Sequence, residues 1–247
     1  MKKLITLSLA LAFVLLLFAQ DSTKVKKPAK KDWSKVSLAN RFNDHFMLQL
    51  GYNGWSGQTD SVSGKGIPRS FNMYFMFDFP FKSDPRLSVG IGVGLGTDNF
   101  YLNKQTVDLT GRSSSILSFR KNADSSYFKK YKLATTYLEL PVELRFAADP
   151  TKTNSTWKAA IGGKIGTMLS AMTKGKNLTS SSGATLYTYT EKEKSKRYFN
   201  TTRLSVTGRI SKGCFGIYAN YQVNQFVKDG YGPDIRPFQV GFVISGL

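Results

Sequence analysis

The amino-acid sequence predicts an all-β protein, an eight-stranded antiparallel up-and-down β-barrel. Three observations lead to this fold class. From residue 46 onward, segments of about ten residues alternate between apolar and polar side chains, the period expected of a two-faced strand. Eight such segments follow one another. The connections between them are alternately short and long, which is typical of antiparallel barrels with an even strand number.

The first four predicted strands span residues 46–53, 71–79, 87–96 and 137–146. In each strand every second residue is apolar, and most residues between are polar or glycine. The apolar positions are Phe46, Leu48, Leu50 and Tyr52, then Phe71, Met73, Phe75, Phe77 and Phe79, then Leu87, Val89, Ile91, Val93 and Leu95, and then Leu138, Leu140, Val142, Leu144 and Phe146. In the third strand, LSVGIGVGLG, the other face carries only serine and glycine.

The last four predicted strands span residues 157–170, 202–210, 215–224 and 238–245 and repeat the alternation. The positions on their apolar phase are Trp157, Ala159, Ile161, Ile165 and Leu169, then Thr202, Leu204, Val206 and Ile210, then Phe215, Ile217, Ala219, Tyr221 and Val223, and then Phe238, Val240, Phe242 and Ile244. The eight segments are about ten residues long, as in transmembrane β-barrels.

The connections fall into two classes. Residues 80–86, 147–156 and 211–213 are short and contain KSDPR, AADPT and SKG, whose Asp, Pro, Ser and Gly are typical of tight turns. The other connections are predicted to be mostly long, polar loops, at residues 56–69, 102–131, 172–199 and 227–236. The two classes alternate along the chain, so the barrel has a short-turn end and a long-loop end.

The large apolar residues are expected on the outside of the barrel. An eight-stranded barrel has an interior only just wide enough for side chains to fill, and this many large residues would overfill it. Outside, they would face lipid, as in a transmembrane barrel of the cell outer membrane. Predicted lipid-facing residues include Leu138, Leu140, Val142, Leu144 and Ile165. The alternative is a soluble secreted barrel that binds an apolar ligand.

Charged residues on the other phase are expected inside the barrel. They carry both signs, so they could pair with one another in a narrow polar lumen, whereas Arg or Lys facing mid-membrane lipid would cost about 2–4 kcal/mol each. The predicted lumen charge network consists of Asp78, Glu139, Glu143, Arg145, Lys164, Arg203 and Arg209.

Aromatic residues gather near the ends of the predicted strands, as in the two aromatic girdles that membrane interfaces favour. At the short-turn end the expected girdle residues are Phe46, Phe79, Phe81, Phe146, Trp157, Phe215 and Phe238. Toward the long-loop end they are Tyr52, Tyr101, Tyr198 and Tyr221.

Two segments precede the barrel. Lys2 and Lys3 stand before an apolar run that ends in FAQDS, which predicts a signal peptide over residues 1–19. Residues 20–44 are Lys-rich and without periodicity, which predicts a flexible basic periplasmic tail, leaving residues 45–247 for the barrel. The formal net charge of +19 would suit nucleic acid, but an exported chain meets phosphate mainly on lipid headgroups. We therefore expect no nucleic-acid partner.

The segments YLELPVELRF and LSVGIGVGLG, with LFAQ at the signal end, resemble the PorT-like outer-membrane β-barrel proteins of Bacteroidetes-type bacteria. The Tyr-Leu-Glu-hydrophobic-Pro motif of that group is matched by Tyr137 to Pro141. The resemblance spans roughly residues 45–247 and implies an outer-membrane location, with participation in protein secretion for some members. Its motif is short and shared by barrels of unlike role, so it indicates fold better than activity.

Pro141 lacks a backbone N–H, which favours a β-bulge or a local break in pairing. A bulge would re-aim Glu139 and Glu143. A harmless irregularity is the alternative.

Catalytic and metal-binding constellations are not visible in the sequence. The one histidine, His45, is expected to be a solvated strand-end residue, and one histidine with one cysteine supplies no metal-ligand set. Glu139 and Glu143 would lie about 13 Å apart along a strand, too far for the carboxylate pair of a glycosidase. We therefore expect no enzyme, no cofactor and no metal.

The expected function is a structural or assembly role in the outer membrane, with accessory participation in protein secretion. Expected partners are outer-membrane lipid and lipopolysaccharide, the barrel assembly machinery and secretion-system proteins. The loop at 172–199 is basic and suits lipopolysaccharide phosphates, although solvated charge is the simpler interpretation; its cations are Lys174, Lys176, Lys192, Lys194, Lys196 and Arg197. Alternatives are a narrow pore, or a surface protein that binds through the loops at 102–131 and 172–199.

Overall fold

The structure, a computed structural model, describes residues 45–57, 62, 64–112, 114–122, 126–152 and 155–246. The predicted signal peptide and basic tail, residues 1–19 and 20–44, lie outside the described residues. In the part of the chain that is described, no helix has the length and hydropathy needed to cross a membrane.

Eleven strands occur among the described residues. They are β1 (Phe46–Ser56), β2 (Arg69–Pro80), β3 (Leu87–Leu102), β4 (Gln105–Val107), β5 (Phe119–Lys121), β6 (Tyr127–Ala147), β7 (Trp157–Thr179), β8 (Thr185–Lys194), β9 (Thr202–Lys212), β10 (Phe215–Gln222) and β11 (Arg236–Ser245).

Eight of these strands close into a barrel. Each of β1, β2, β3, β6, β7, β9, β10 and β11 pairs antiparallel with the next in that order, and β11 pairs with β1 to complete the ring. The predicted fold class, an eight-stranded antiparallel up-and-down barrel, is confirmed. All three predicted tight turns fall at one end, where Gly213 adopts a φ of 60°, a left-handed conformation that glycine tolerates without steric cost.

Two of the predicted long loops are partly strand. β6 and β7 are 21 and 23 residues long, about twice what a membrane crossing needs, so they project beyond the barrel at the long-loop end. β8 pairs with the projecting part of β7, and β4 pairs with β5 in a separate small sheet. The prediction of loops throughout 102–131 and 172–199 is therefore wrong. Both faces of β8 are polar or exposed, so its sequence lacks an apolar phase.

The side chains of the barrel are arranged inside out relative to a soluble protein. Along β2, for example, Phe75 is 46% exposed on the outer surface while the neighbouring Tyr74 is fully buried in the interior. Buried positions of the other strands are occupied largely by polar and charged residues, and exposed positions by Leu, Ile, Val and Phe. An apolar exterior around a polar interior is the pattern of a barrel that lipid surrounds.

Hydrophobic residues of the long loops form a separate core at the long-loop end, which we call the outer cluster. It packs loop residues onto the inward faces of the projecting strands. Its members are Val62, Phe100, Leu102, Val107, Leu109, Leu117, Tyr131, Leu133, Tyr137, Met168, Ala171, Tyr198, Phe199, Phe226, Val227 and Ile235. Because these side chains are buried, the loops fold over the barrel mouth as an ordered layer.

Candidate functional site in the barrel interior

The interior is polar because strand geometry directs alternate residues inward. β6 contributes Glu139, Glu143 and Arg145 at intervals of two or four residues, all on one face. Lys164 enters from β7, and Arg203 and Arg209 enter from β9. All seven predicted lumen charges have side chains that are at most 8% exposed, despite their charge.

Asp98, on β3, joins the seven predicted charges inside the barrel. Together with Glu139, Lys164 and Arg203 it forms what we call the central cluster. The Arg203 guanidinium donates to Asp98 Oδ2 at 2.7 Å and to Glu139 Oε1 at 3.1 Å. Lys164 Nζ lies 3.4 Å from Glu139 Oε2, and the Tyr74 hydroxyl donates to the same oxygen at 2.5 Å. Two carboxylates face two cations, so the cluster is neutral, as burial requires.

The other four groups form the turn-side cluster: Asp78, Glu143, Arg145 and Arg209. Arg145 Nε donates to Glu143 Oε2 at 3.0 Å, and Arg145 Nη1 lies 3.5 Å from Asp78 Oδ1. Arg209 also bonds Glu143 Oε2, at 3.2 Å. This cluster again has two carboxylates and two cations, so both clusters hold paired charge, with no net charge left to attract ions.

Amide side chains complete the packing around Asp98. Gln239 Nε2 donates to Asp98 Oδ1 at 2.6 Å, and Asn53 Nδ2 donates to the same oxygen at 3.3 Å. Asn72 then donates to the side-chain oxygens of Gln239 and Gln49 at 2.9 and 3.1 Å. These hydrogen bonds link the inward faces of four consecutive strands, β3, β2, β1 and β11.

Asp98, the central acceptor of this network, was not among the predicted lumen residues. The predicted third strand ended at Gly96, whereas β3 continues to Leu102. Asp98 is on the same phase as Gly90 to Gly96, so the signal was present in the alternation. Tyr74 and Asn72 were on the inward phase of the second predicted strand, but an uncharged side chain did not stand out.

The glycines of β3 make room for large side chains inside the barrel. A Cβ at Gly90 would overlap the Arg145 guanidinium, and one at Gly96 would come within 3.0 Å of the Glu139 carboxylate. A Cβ at Gly94 would lie 2.5 Å from Tyr74 Cδ1. The missing side chains of one strand therefore accommodate the long ones of its neighbours.

The predicted lipid-facing residues all lie on the outer surface. Leu138, Leu140, Val142, Leu144 and Ile165 are 39–51% exposed there. No described charged side chain interrupts this band on β6 between residues 137 and 146, because Glu139, Glu143 and Arg145 point inward. The outer surface at this depth can therefore contact hydrocarbon without burying charge in it.

The expected girdle residues are distributed between the two ends with two corrections. Phe46, Phe79, Phe81, Phe146, Trp157 and Phe215 lie at the short-turn end, and Tyr52, Tyr101 and Tyr221 lie toward the long-loop end. Phe238 was assigned to the wrong end: it follows a long loop, and its ring centroid is 6.3 Å from that of Tyr52. Tyr198 is not a girdle residue, since it is buried in the outer cluster.

The expectation for Pro141 needs correction in part. The expected bulge at Pro141 is wrong, because the register of β6 on β3 is the same on both sides of it, with Ile91 paired to Val142 and Gly94 to Glu139. The pairing is interrupted between these two pairs, as expected for a local break at a proline. The glutamates keep their direction. The register shift of β6 on β7 lies instead between Thr136 and Tyr137.

His45 is half-buried rather than solvated. Its Nδ1 lies 3.0 Å from the Met76 carbonyl oxygen, and its ring stacks on Phe75 with centroids 5.7 Å apart. Among the described residues, no three His, Cys, Asp or Glu side chains are grouped so as to hold a metal ion.

Comparisons with known proteins give one family match. The family model described as "Outer membrane protein beta-barrel domain" matches residues 18–245. No curated protein matches. Among solved structures, the chain is similar to Ail, the attachment invasion locus protein of Yersinia pestis, at 12% identity and a TM-score of 0.33, covering 81% of this chain and 94% of Ail. The structure of the same protein in complex with the heparin analogue sucrose octasulfate is similar at 11% identity and a TM-score of 0.32, covering 81% of this chain and 95% of that chain.

Proposed function

The chain belongs to the outer membrane protein beta-barrel domain family and is an outer-membrane protein, and on this premise we propose that it is a closed, non-catalytic barrel with a structural or assembly role. Its partners in this role are outer-membrane lipid and lipopolysaccharide, and the barrel assembly machinery that inserts it. Nucleic acid is not among them. The soluble ligand-binding alternative is wrong, because the chain is an outer-membrane protein and its interior holds charge instead of an apolar cavity.

The observation that carries this proposal is the filled interior. Arg203, which projects into the lumen, is 1% exposed, and each of its cluster partners is at most 5% exposed. The outer cluster covers the same lumen at the long-loop end. A solute would have to break two neutral ion-pair clusters and displace a hydrophobic layer to pass, so a closed barrel is favoured over a narrow pore.

Single-channel recording tests the closed state. The purified chain, reconstituted into planar bilayers, should give a baseline without regular unitary steps across the usual range of voltages. A deletion of residues 105–121, which removes β4, β5 and part of the outer cluster, serves as the comparison. It should also remain closed, because the two ion-pair clusters stay in place. Regular openings in the unmodified chain would replace this proposal with the pore.

An accessory role in protein secretion is the finer form of the proposal. It is supported by the resemblance of Tyr137 to Pro141, and of the glycine-alternating strand, to PorT-like barrels. Deletion of the gene should then lower the amount of exported protein in the culture medium, with intracellular precursor accumulating, and the unmodified gene should restore export. Crosslinking in cells should join the chain to secretion components. Normal export without the chain would remove the secretion role and leave a solitary structural barrel.

A surface-binding role is the second candidate, and one observation favours it. The long loops are folded rather than loose: β4 and β5 pair, β8 extends the barrel wall, and Tyr198 donates from its hydroxyl to the Ser114 carbonyl at 2.7 Å. An ordered outer layer is suited to presenting a fixed surface.

A further inference from the structure

Six lysines line one face of the projecting sheet formed by β6, β7 and β8. Residues directly opposite on paired strands share a face, and here Lys132 pairs with Lys174, which pairs with Lys192. The next row pairs Lys130 with Lys176, and Lys194 stands opposite Met172. We call these six residues the lysine ladder: Lys130, Lys132, Lys174, Lys176, Lys192 and Lys194.

The ladder faces outward because of an irregularity in β7. Below it, Lys164 and Met168 are buried in the interior, so even-numbered residues point inward. Thr136 pairs with Ser170 while Tyr137 pairs with Met168, which leaves Leu169 as an extra residue. A one-residue slip exchanges the two faces of a strand. Ala171 and Thr173 are buried above it, and Lys174 and Lys176 are turned to the outer surface.

The ladder concentrates like charge, and the one hydrogen bond recorded for its ammonium groups among the described residues runs from Lys132 Nζ to the neutral Asn99 Oδ1, at 2.6 Å. Like charges on directly opposite strand positions are destabilising. No carboxylate forms an ion pair with any of the six lysines among the residues that the structure describes. Glu193 faces the other way, where its carboxylate accepts from Leu109 N at 2.9 Å and from Thr110 Oγ1 at 2.8 Å. Burial, with Lys174 and Lys176 nearby, lowers the pKa of Lys132, in the projecting part of β6. An anion on this face would relieve the repulsion.

The ladder also surrounds a recess of suitable size at a suitable height. A cavity of about 210 Å³ is lined by two tyrosines, Tyr101 and Tyr131, and by four of the six ladder residues, Lys130, Lys132, Lys174 and Lys176. Tyr101 pairs with Lys132 and is half-buried on the outer surface. Tyrosines of this kind mark the level of the lipid headgroups. On β6 only two outward positions, Thr136 and Ala134, separate Lys132 from Leu138 of the apolar band, so the cations lie at the level expected for outer-leaflet phosphates.

We propose that the lysine ladder is a binding site for the phosphorylated headgroup of an outer-leaflet lipid, the phosphates of a lipid A type glycolipid. This deepens the lipopolysaccharide contact in the proposed function, but it does not depend on the secretion role. The site differs from the basic loop expected from sequence. Lys196 donates to the Met168 carbonyl at 3.2 Å and Arg197 to the Thr110 carbonyl at 3.1 Å, so neither belongs to the ladder, whereas Lys130 and Lys132 do.

The test is lipid binding by a matched pair of triple variants. The first is Lys132→Gln, Lys174→Gln and Lys192→Gln, which removes one complete row of the ladder. The control is Lys65→Gln, Arg120→Gln and Lys121→Gln. It removes the same charge from exposed residues at the long-loop end that are not part of the ladder. Each protein is reconstituted in phosphatidylcholine nanodiscs, and its affinity for added bis-phosphorylated lipid A is measured. Resistance to unfolding in cold dodecyl sulfate checks that each barrel is folded.

Each lysine near an anionic headgroup contributes about fivefold to affinity, so the row variant should bind roughly 100-fold more weakly. The control should stay within about threefold of the unmodified chain, and dephosphorylated lipid A should bind the unmodified chain as weakly as the row variant binds the phosphorylated lipid. An equal loss in both variants would replace the site with a general field of positive charge. Soluble pyrophosphate binding as tightly as lipid A would make free phosphate, not a lipid headgroup, the ligand. Either result overturns the proposal, whereas the conductance experiment is unaffected by both.

Discussion

At the scale of single residues, the interior ion pairs act as complete sets. Taking charges out of water costs several kcal/mol per ion, which paired geometry offsets only when every partner is present. Arg203 bonds both Asp98 and Glu139, so it holds two carboxylates at once. Its loss would leave two buried negative charges with Lys164 as the remaining cation.

The first prediction concerns this dependence. Arg203→Met should lower the free energy of unfolding by about 3–5 kcal/mol, because it leaves two buried carboxylates without the cation that pairs with both. The triple variant Arg203→Met, Asp98→Asn and Glu139→Gln should recover part of that loss, since the remaining charge is a single lysine. Urea titrations in lipid vesicles measure both. If the triple variant were less stable than the single one, the clusters would not act as coupled sets.

The second prediction concerns the glycine face of β3. Gly94→Ala should lower the free energy of unfolding by about 1–3 kcal/mol, because the new methyl group would overlap the Met73 carbonyl and the Tyr74 ring. Gly208→Ala is the matched control, since its Cβ would come no nearer than 3.9 Å to Ala160 O. The same titrations measure the two variants. A loss as large for Gly208→Ala would point to backbone freedom, not space, as the role of glycine here.

The residues of the site were predictable to the extent that they carry charge. Glu139, Arg145 and Arg203 stand out in a strand because a charge on the lipid face would be costly. Asp98 was not predicted because the expected strand ended two residues before it. Tyr74 was not predicted because a tyrosine is equally suited to the lumen and to the membrane interface. Partner identity was not predictable for any of them, since strand order and stagger decide which walls face each other.

At the scale of elements, the two faces of each barrel strand have different surroundings: lipid on the outside and a packed polar interior on the inside. The lower part of β7 presents Ile161 and Ile165 outward and Lys164 inward, and this contrast allowed the strand to be predicted. Above Leu169 the contrast disappears, since Ala171, Thr173 and Gly175 alternate with Met172, Lys174 and Lys176. The sequence therefore gave no sign of the extra residue that exchanges the faces, nor of the continuation of β7 to Thr179.

The third prediction tests the apolar face of β7. Ile165→Lys should lower the free energy of unfolding in bilayers by about 2–4 kcal/mol, because a lysine near the membrane midplane faces hydrocarbon. Leu186→Lys, on the projecting β8, is equally exposed and should change it by less than about 0.5 kcal/mol, as surface substitutions usually do. Equilibrium folding into vesicles measures the difference. Equal effects at both positions would mean that Ile165 does not face lipid.

At the scale of the whole molecule, two layers close the barrel. Neutral ion-pair clusters fill the membrane-spanning part, and the outer cluster lies over the long-loop end. Closure of the ring removes every strand edge within that part, which satisfies the backbone hydrogen bonds where no water is available. The strand count and the inside-out orientation were predictable, because both follow from alternation and from the limited interior of eight strands.

The order within the long loops was not predictable from sequence. Their hydrophobic residues, such as Leu109, Leu117 and Phe226, stand singly or in pairs between polar residues and show no period. They become a core only because the closed barrel brings four separate connections to the same end. Local pattern cannot show such a contact, since its partners are 84 or more residues apart in cases such as Tyr198 with Ser114.

The most direct test measures, residue by residue, whether each face of a strand contacts lipid, water or packed protein. In a Cys214→Ala background, single cysteines replace Leu204, Ser205 and Val206 in turn, each carries a nitroxide label, and the protein is placed in lipid bilayers. Leu204 and Val206 are 42% and 53% exposed on the outer surface, and Ser205 is 4% exposed inside. Labels at 204 and 206 should relax strongly with oxygen, which dissolves in lipid, and weakly with a water-soluble nickel complex, while the label at 205 should be shielded from both. Strong nickel relaxation at 204 and 206, or no alternation among the three sites, would contradict a lipid-facing exterior around a packed interior.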